Sequence, residues 1–213
     1  MKDKDIKRSC IDCASKGCDD KGGTYPDFCL TANMAPEFLE ETMKLYTDSE
    51  ENRKIMMAAS EVEFENYCRM TRVEEICEFA SKIGAEKLGI ATCVGLLQEA
   101  RTAAKIFRAR GFEVVGAACK IGAQPKVSVG IDPAHEAVGV NMCNPIMQAE
   151  MLNKEKTDLN IVIGLCVGHD SLFYKHSEAL CTTLVAKDRV LAHNPVAALY
   201  QADKYYSRLL KND

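Results

Sequence analysis

The sequence predicts an α/β fold: a doubly wound, mostly parallel four-stranded sheet behind a small Cys-rich N-terminal module and a helical segment. Two observations carry that prediction. From Lys87 onward, apolar runs alternate with helical patterns, and intervening helices bring successive strands in parallel through right-handed crossovers. The first three runs are apolar on consecutive residues, as strands covered on both faces are. A flavodoxin-like order, 2-1-3-4, is the expected arrangement.

The elements follow in chain order. "SCIDCASKGCDDKGGTYPDFCLTAN" (9–33) is rich in Gly, Asp and Cys and has no apolar periodicity; it lacks the surface to fold unaided. Pro36 suits a first helical turn, and Phe38, Leu39, Thr42, Leu45 and Tyr46 share one face of the helix it opens. Ser49 precedes a second helix bearing Ile55, Ala59 and Val62. Thr71 with Glu74 forms a capping-box signature for a third, striped by Val73, Ile76, Cys77, Ala80 and Ile83 and ended by Gly84. "KLGIATC" is the first strand. Leu96 to Arg110 is an amphipathic helix capped by Gly111, and "FEVVGAAC" is the second strand. A long loop, Lys120 to Cys143, leads to a helix at "NPIMQAEML". "LNIVIGLC" is the third strand, followed by a helix from Asp170. "TTLVAKDRVL" is the fourth, followed by a helix over "HNPVAALYQADKYYSRLL". Residues 1–35 therefore read as a Cys-rich metal-binding segment, and 36–213 as the α/β domain, with 36–84 a helical lead-in packed on it.

Composition narrows the function classes. The 213 residues are 47% hydrophobic and 27% charged, with a formal net charge of −4 and interspersed signs. That balance argues against nucleic acid or an anionic membrane as partner. No apolar run approaches the roughly 20 residues of a membrane helix, and the charged start "MKDKDIKRSC" lacks a signal-peptide core; a cytoplasmic protein is expected. Eleven cysteines in a reducing compartment point to metal binding or thiol chemistry rather than disulfides. Free cysteine also serves as a small apolar side chain, so position decides each case.

Cys10, Cys13, Cys18 and Cys29 have the spacing C-x2-C-x4-C-x10-C, whose tight first pair lets two sulfurs grip one ion from a single turn. Four thiolates in a segment without a core suit zinc or an iron–sulfur cluster, which ligand type does not separate. A second grouping arises from the topology. Ligands of open parallel sheets bind beyond the carboxyl ends of the strands, where strand order reverses. Cys93, Cys119 and Cys166 end the first three strands there, and the long loop delivers Cys143 to the same edge. Neighbouring strands lie about 4.8 Å apart, close enough for such sulfurs to share one ion. "CNP" and "HNP" place Asn and Pro at helix starts, whose positive ends favour thiolates. His169 and His193 reach the same edge. Cys93, Cys119, Cys143, Cys166, His169 and His193 are thus the expected cofactor-binding group. Gly after Cys in both "CVG" joints is also explained by a tight turn alone. Cys77 and Cys68 read as core, Cys181 as packing, His176 as solvated and His135 as a weak ligand candidate.

"CIDCASKGC…YPDFC", "ATCVGLLQEA", "CNPIMQAEMLN", "GLCVGHDSLFYKHS" and "VAKDRVLAHNPVAALY" together resemble a prokaryotic cysteine-rich family of unknown function, often labelled as metal-binding proteins. The resemblance spans nearly the whole chain and implies metal binding by clustered cysteines: Cys10, Cys13, Cys18 and Cys29 match an N-terminal cluster, and Cys93, Cys119, Cys143 and Cys166 match strand-end positions. Leu30, rather than the proline of many cluster motifs, follows Cys29.

Two rivals accompany the metal-binding reading, in which the strand-end site is a place for electron transfer or a metallocofactor. One is a thiol enzyme in which Cys166 or Cys93, activated by a helix start and His169 or His193, attacks a small substrate or carries sulfur. The other is a site for an anionic small molecule. The expected partners are a metal ion or cluster and a small-molecule or redox partner, with oligomeric state left open.

Overall fold

The computed structural model describes residues 7–20 and 22–211. The first six residues of the Cys-rich segment, and Lys21 within it, lie outside that range. The chain divides into two compact units, Met1–Met57 and Ala58–Asp213.

In the first unit a short 3-10 turn, Cys10–Asp12, opens the Cys-rich stretch, and α1 (Pro36–Thr47) starts on its proline. The stretch between them owes its shape to backbone contact. A Cβ on Gly17 would sit 2.1 Å from the Thr24 carbonyl oxygen, and one on Gly23 would sit 2.2 Å from that of Gly17. Only glycines let the two arms of the loop approach this closely. Ser15 Oγ donates to Thr24 O at 3.2 Å, and the Asn33 amide donates to Asp27 O and Cys29 O at 2.8 Å each.

α2 (Glu50–Asn66) begins beside Ser49, whose hydroxyl accepts from Asn52 N at 3.2 Å. In the second unit α3 (Arg72–Lys82) carries the expected capping box of Thr71 and Glu74. The sheet comprises β1 (Lys87–Thr92), β2 (Glu113–Ala118), β3 (Leu159–Ile163) and β4 (Leu180–Val185). Its order is β2-β1-β3-β4 and every pairing is parallel; the fold class is therefore α/β, as the sequence predicts. The crossovers are α4 (Leu97–Ala109), α5 (Pro145–Lys154) and α6 (His169–His176). Leu88, Ile90, Ile161 and Ile163 bury one face of the sheet with α3 and α4, centred on Phe107, while Ala91 and Val162 bury the other with Leu152 of α5 and Phe173 of α6. Among the described residues no helix is long and apolar enough to cross a membrane.

Three differences from the sequence reading bear on the site. β3 stops at Ile163 because Gly164 takes a left-handed φ of +65°. Cys166 consequently sits three residues beyond the strand, in the turn before α6, rather than at its end. β4 spans Leu180–Val185 instead of 182–191, because Asp188 Oδ1 accepts from Val190 N and Leu191 N at 2.8 Å each and turns the chain into a loop. The expected long final helix is only α7 (Val196–Tyr200), with Pro195 in its cap and a separate 3-10 turn at Ser207–Leu210. "HNP" therefore does not aim a sustained helix dipole at the sheet edge. β4 also skips a register position: Val162 faces Thr183, but Ile163 faces Val185.

Candidate functional site

The carboxyl edge of the sheet is built by register. Thr92, the last residue of β1, stands opposite both Ala118 of β2 and Ile163 of β3. Cys93 and Cys119 follow at the next position, with Cys119 N bonded to Thr92 O at 2.8 Å. The long loop returns to this point. A bridge between Pro125 and Asn141 closes it, Asn144 N donates to Cys119 O at 2.7 Å, and Asn144 Oδ1 caps α5 by accepting from Met147 N at 3.1 Å. Cys143 is thereby fixed beside Cys119. Gln148, fully buried on α5, clamps the same corner: its amide donates to Thr92 O at 3.1 Å and to Ala117 O at 2.7 Å. Thr92 O keeps Cys119 N when Gln148 is removed, and Gln148→Leu gives up both amide bonds while also removing the buried, unpartnered Gln148 Oε1. A loss of no more than about 1 kcal/mol in urea unfolding is expected.

The electrostatics of the corner separate its two thiols. Cys119 is buried, and the neighbouring Cys143 thiol together with burial pushes its own thiol far up. Cys143, half-buried, is pushed down to about 5, first by the neighbouring Cys119 and then, against burial, by the nearby charges of Lys120 and His169. The Lys120 ammonium is anchored by Asn141 O. His169 begins α6, and its Nδ1 is buried without a partner among the described residues.

The other sulfurs each have a cation. Lys187 Nζ donates to Cys93 Sγ at 3.3 Å, and Gly95 N donates to the same sulfur at 3.4 Å. Arg189 donates to Cys166 Sγ at 2.9 Å. Val94 N donates to Cys119 Sγ at 3.4 Å, which ties the β1 joint to the Cys119–Cys143 corner. His193 has a left-handed φ of +64°, and its Nδ1 accepts from Asp188 N at 3.2 Å.

The structure thus gathers Cys93, Cys119, Cys143 and His169, while Cys166 pairs with Arg189 and His193 with its own loop. The two Cys-Val-Gly joints differ. At the first, Cys93 caps a 3-10 turn over Val94–Leu96; at the second, Cys166 O accepts from His169 N at 2.9 Å and Gly168 takes φ +83°. Sequence reasoning missed Lys120, Lys187, Arg189 and Gln148. Lys120 adjoins Cys119, so a search for cations beside thiols would have found it, whereas Lys187 and Arg189 lie far in sequence from the sulfurs they bond and Gln148 carries no such signal.

Among the remaining cysteines, Cys77 is buried on α3 and Cys181 is half-buried near the start of β4 against the Phe173 cluster. Cys68 is exposed rather than core: it takes φ +57° past the end of α2 and lines a cavity of about 570 Å³ with Arg72, Phe79 and Thr182. His135 is exposed in the long loop, and His176, half-buried rather than solvated, is the last residue of α6.

In the first unit, Cys10, Cys13, Cys18 and Cys29 all line one cavity of about 330 Å³, with Tyr25 and Phe28 among its walls. Cys13 Sγ and Ser15 Oγ lie 3.4 Å apart, and that contact, with backbone donors from Lys16 and Ser15, lowers the Cys13 thiol. Among the described residues no three His, Cys, Asp or Glu side chains converge closely enough to hold an ion as they stand.

Residues 29–184 match the family described as "Protein of unknown function (DUF1847)". The chain belongs to this family. The DUF1847 match takes in Cys29 and the strand-end residues from Cys93 to His169. A similar protein is the "Uncharacterized protein MJ0455" of Methanocaldococcus jannaschii. It is 40% identical over 201 residues, covering 94% of this chain and 97% of that protein.

Proposed function

We propose that this chain is a metal- or cluster-binding protein in which Cys10, Cys13, Cys18 and Cys29 hold a zinc ion or an iron–sulfur cluster as thiolates. The single observation that carries this reading is that all four sulfur-bearing residues of C-x2-C-x4-C-x10-C line one cavity. The donor set fits the group: four soft sulfurs suit zinc or iron–sulfur and exclude hard cations. Ligand type does not separate the two: one zinc would draw all four sulfurs to within about 3.8 Å of each other, and a cluster would hold them farther apart. When bound, the group would supply a cross-link for a coreless segment, or one-electron chemistry. The chain's own part is to bring the two arms together through Gly17 and Gly23 and to keep Cys13 acidic through Ser15.

The test is metal analysis with a visible spectrum of anaerobically purified protein. Stoichiometric metal is expected, falling to background when all four cysteines become Ser while the far-ultraviolet dichroism of the sheet domain persists. Broad absorbance that bleaches on reduction identifies a cluster, and colourless zinc-loaded protein identifies zinc. Metal-free, colourless, folded protein sinks the reading.

A second reading, thiol chemistry at the strand ends, is favoured by the contact between Cys119 and Cys143. A buried thiol beside a more exposed one whose own thiol is pushed down is an arrangement suited to attack on sulfur. Cys93 and Cys166 are held by Lys187 and Arg189, cations that a metal ion at those sulfurs would have to displace.

A further inference from the structure

We propose that Cys143 and Cys119 form a two-thiol exchange pair that reduces a small anionic disulfide, Cys143 attacking and Cys119 resolving. The inference rests on the thiol reading of the strand ends and is independent of the N-terminal cysteines.

The geometry assigns the roles. Cys143 is the more exposed of the two and stands just before Asn144, the cap of a ten-residue helix, with the Lys120 side chain beside it. Cys119 is buried, only 3% exposed, and cannot meet a substrate directly. The Cys119 O to Asn144 N bond of 2.7 Å nonetheless holds the two backbones as neighbours, and Cys143 packs against the buried cluster that contains Cys119. A disulfide forms without large movement only when the two residues already lie this near. Val94 N points at Cys119 Sγ from 3.4 Å, ready to stabilise the charge that sulfur acquires as it attacks. Lys120, Lys187 and Arg189 make the rim electropositive. Asp188 spends one carboxylate oxygen on Val190 N and Leu191 N, and Asp170 one on Ser171 N. A disulfide carrying carboxylates is the substrate class this rim attracts.

The exchange balances as two displacements. The Cys143 thiolate attacks one sulfur of RS–SR, the S–S bond breaks, and RS⁻ leaves with the electron pair, giving Cys143–S–S–R. Cys119 then attacks Cys143 Sγ; the second RS⁻ departs and takes up the proton that Cys119 loses. The products are the Cys119–Cys143 disulfide, RSH and RS⁻, with two electrons passed from protein to substrate. A dithiol donor restores the pair by the reverse exchange.

The experiment treats the reduced full-length chain anaerobically with oxidised glutathione and maps every cysteine by peptide mass spectrometry. A Cys119–Cys143 disulfide is expected as the dominant product. Cys119→Ala and Cys119→Ser should instead accumulate glutathione on Cys143, and Cys143→Ser should lose both products. Mapping of the unsubstituted chain stands even where a variant fails to fold. Adducts on Cys143 with no Cys119–Cys143 disulfide in the unsubstituted chain overturn the exchange pair but leave the thiol reading intact. A Cys143 that does not react ahead of the other cysteines overturns both. Adducts on Cys10, Cys13, Cys18 and Cys29 are counted separately, so the outcome is distinguishable from failure of the metal reading. Oxidised glutathione should react about tenfold faster than the cationic disulfide cystamine at low salt, with the gap closing as salt rises. Equal or faster reaction with cystamine overturns the assigned substrate class.

Discussion

At pH 6, Cys143 is expected to be alkylated by iodoacetamide about tenfold faster than an ordinary cysteine, and Cys143→Ser removes that fast phase. Two opposing effects set the size. A thiol lowered from 9.0 to about 5 is almost wholly thiolate at pH 6, roughly 900 times the ordinary population. A less basic thiolate is a weaker nucleophile, and a Brønsted slope of about 0.4–0.5 over four pH units removes a factor of roughly 40–100. Population wins. The rate should therefore stay flat from pH 9 down to about 6 and fall only as pH drops through 5. A lone cysteine instead loses tenfold for each unit below its ordinary value. Lys120→Met should shift the fall to higher pH, because it removes a charge that stabilises the thiolate. A rate for Cys143 that falls tenfold per unit from pH 8 to pH 6 would exclude the activated state.

Gly89→Ala is expected to destabilise the α/β domain by about 3 kcal/mol in urea unfolding. A Cβ there would lie 1.9 Å from Asn160 Oδ1 and 2.9 Å from Leu152 Cδ1. Neither neighbour yields easily. Asn160 is fully buried in β3, where Oδ1 accepts from Thr157 Oγ1 at 2.8 Å and Nδ2 donates to Ser177 Oγ at 2.8 Å. Leu152 is buried against the same sheet face. Relieving the overlap means giving up those bonds or opening the α5 interface, and overpacking of this kind costs about 1–3 kcal/mol before the lost hydrogen bonds are added. In an Asn160→Ala background the added cost of Gly89→Ala should fall to about 1 kcal/mol, a coupling that the double-mutant cycle measures directly. Additive effects would mean that Asn160 is not what the new methyl meets.

The sequence made the scaffold legible where physics is local. Thr71 and Glu74 satisfy each other three residues apart, Asn144 caps the helix that Pro145 begins, and consecutive apolar residues in β1 and β3 announce burial on both faces. From those elements the 2-1-3-4 order and the gathering of cysteines at one edge follow. The finer assignment did not. Cys93 and Cys166 share a tripeptide, yet the neighbouring pair is Cys119 and Cys143, which are brought together by the return of a loop with no periodic signal. Lys187 lies 94 positions from the sulfur it bonds and Arg189 lies 23 from its own. Nothing in local pattern marks such pairings. Gly164 hid the early end of β3, because an apolar run continues through Leu165 while the backbone has already turned.

The skipped register position in β4 has a mechanical consequence. Past Val185 the chain runs as a short strap that carries Lys187 to Cys93 and, two residues on, Arg189 to Cys166. Two separate sulfurs are thus tethered to one piece of backbone. The positions of both cations over their sulfurs are therefore set by the path of one short segment rather than by two independent elements.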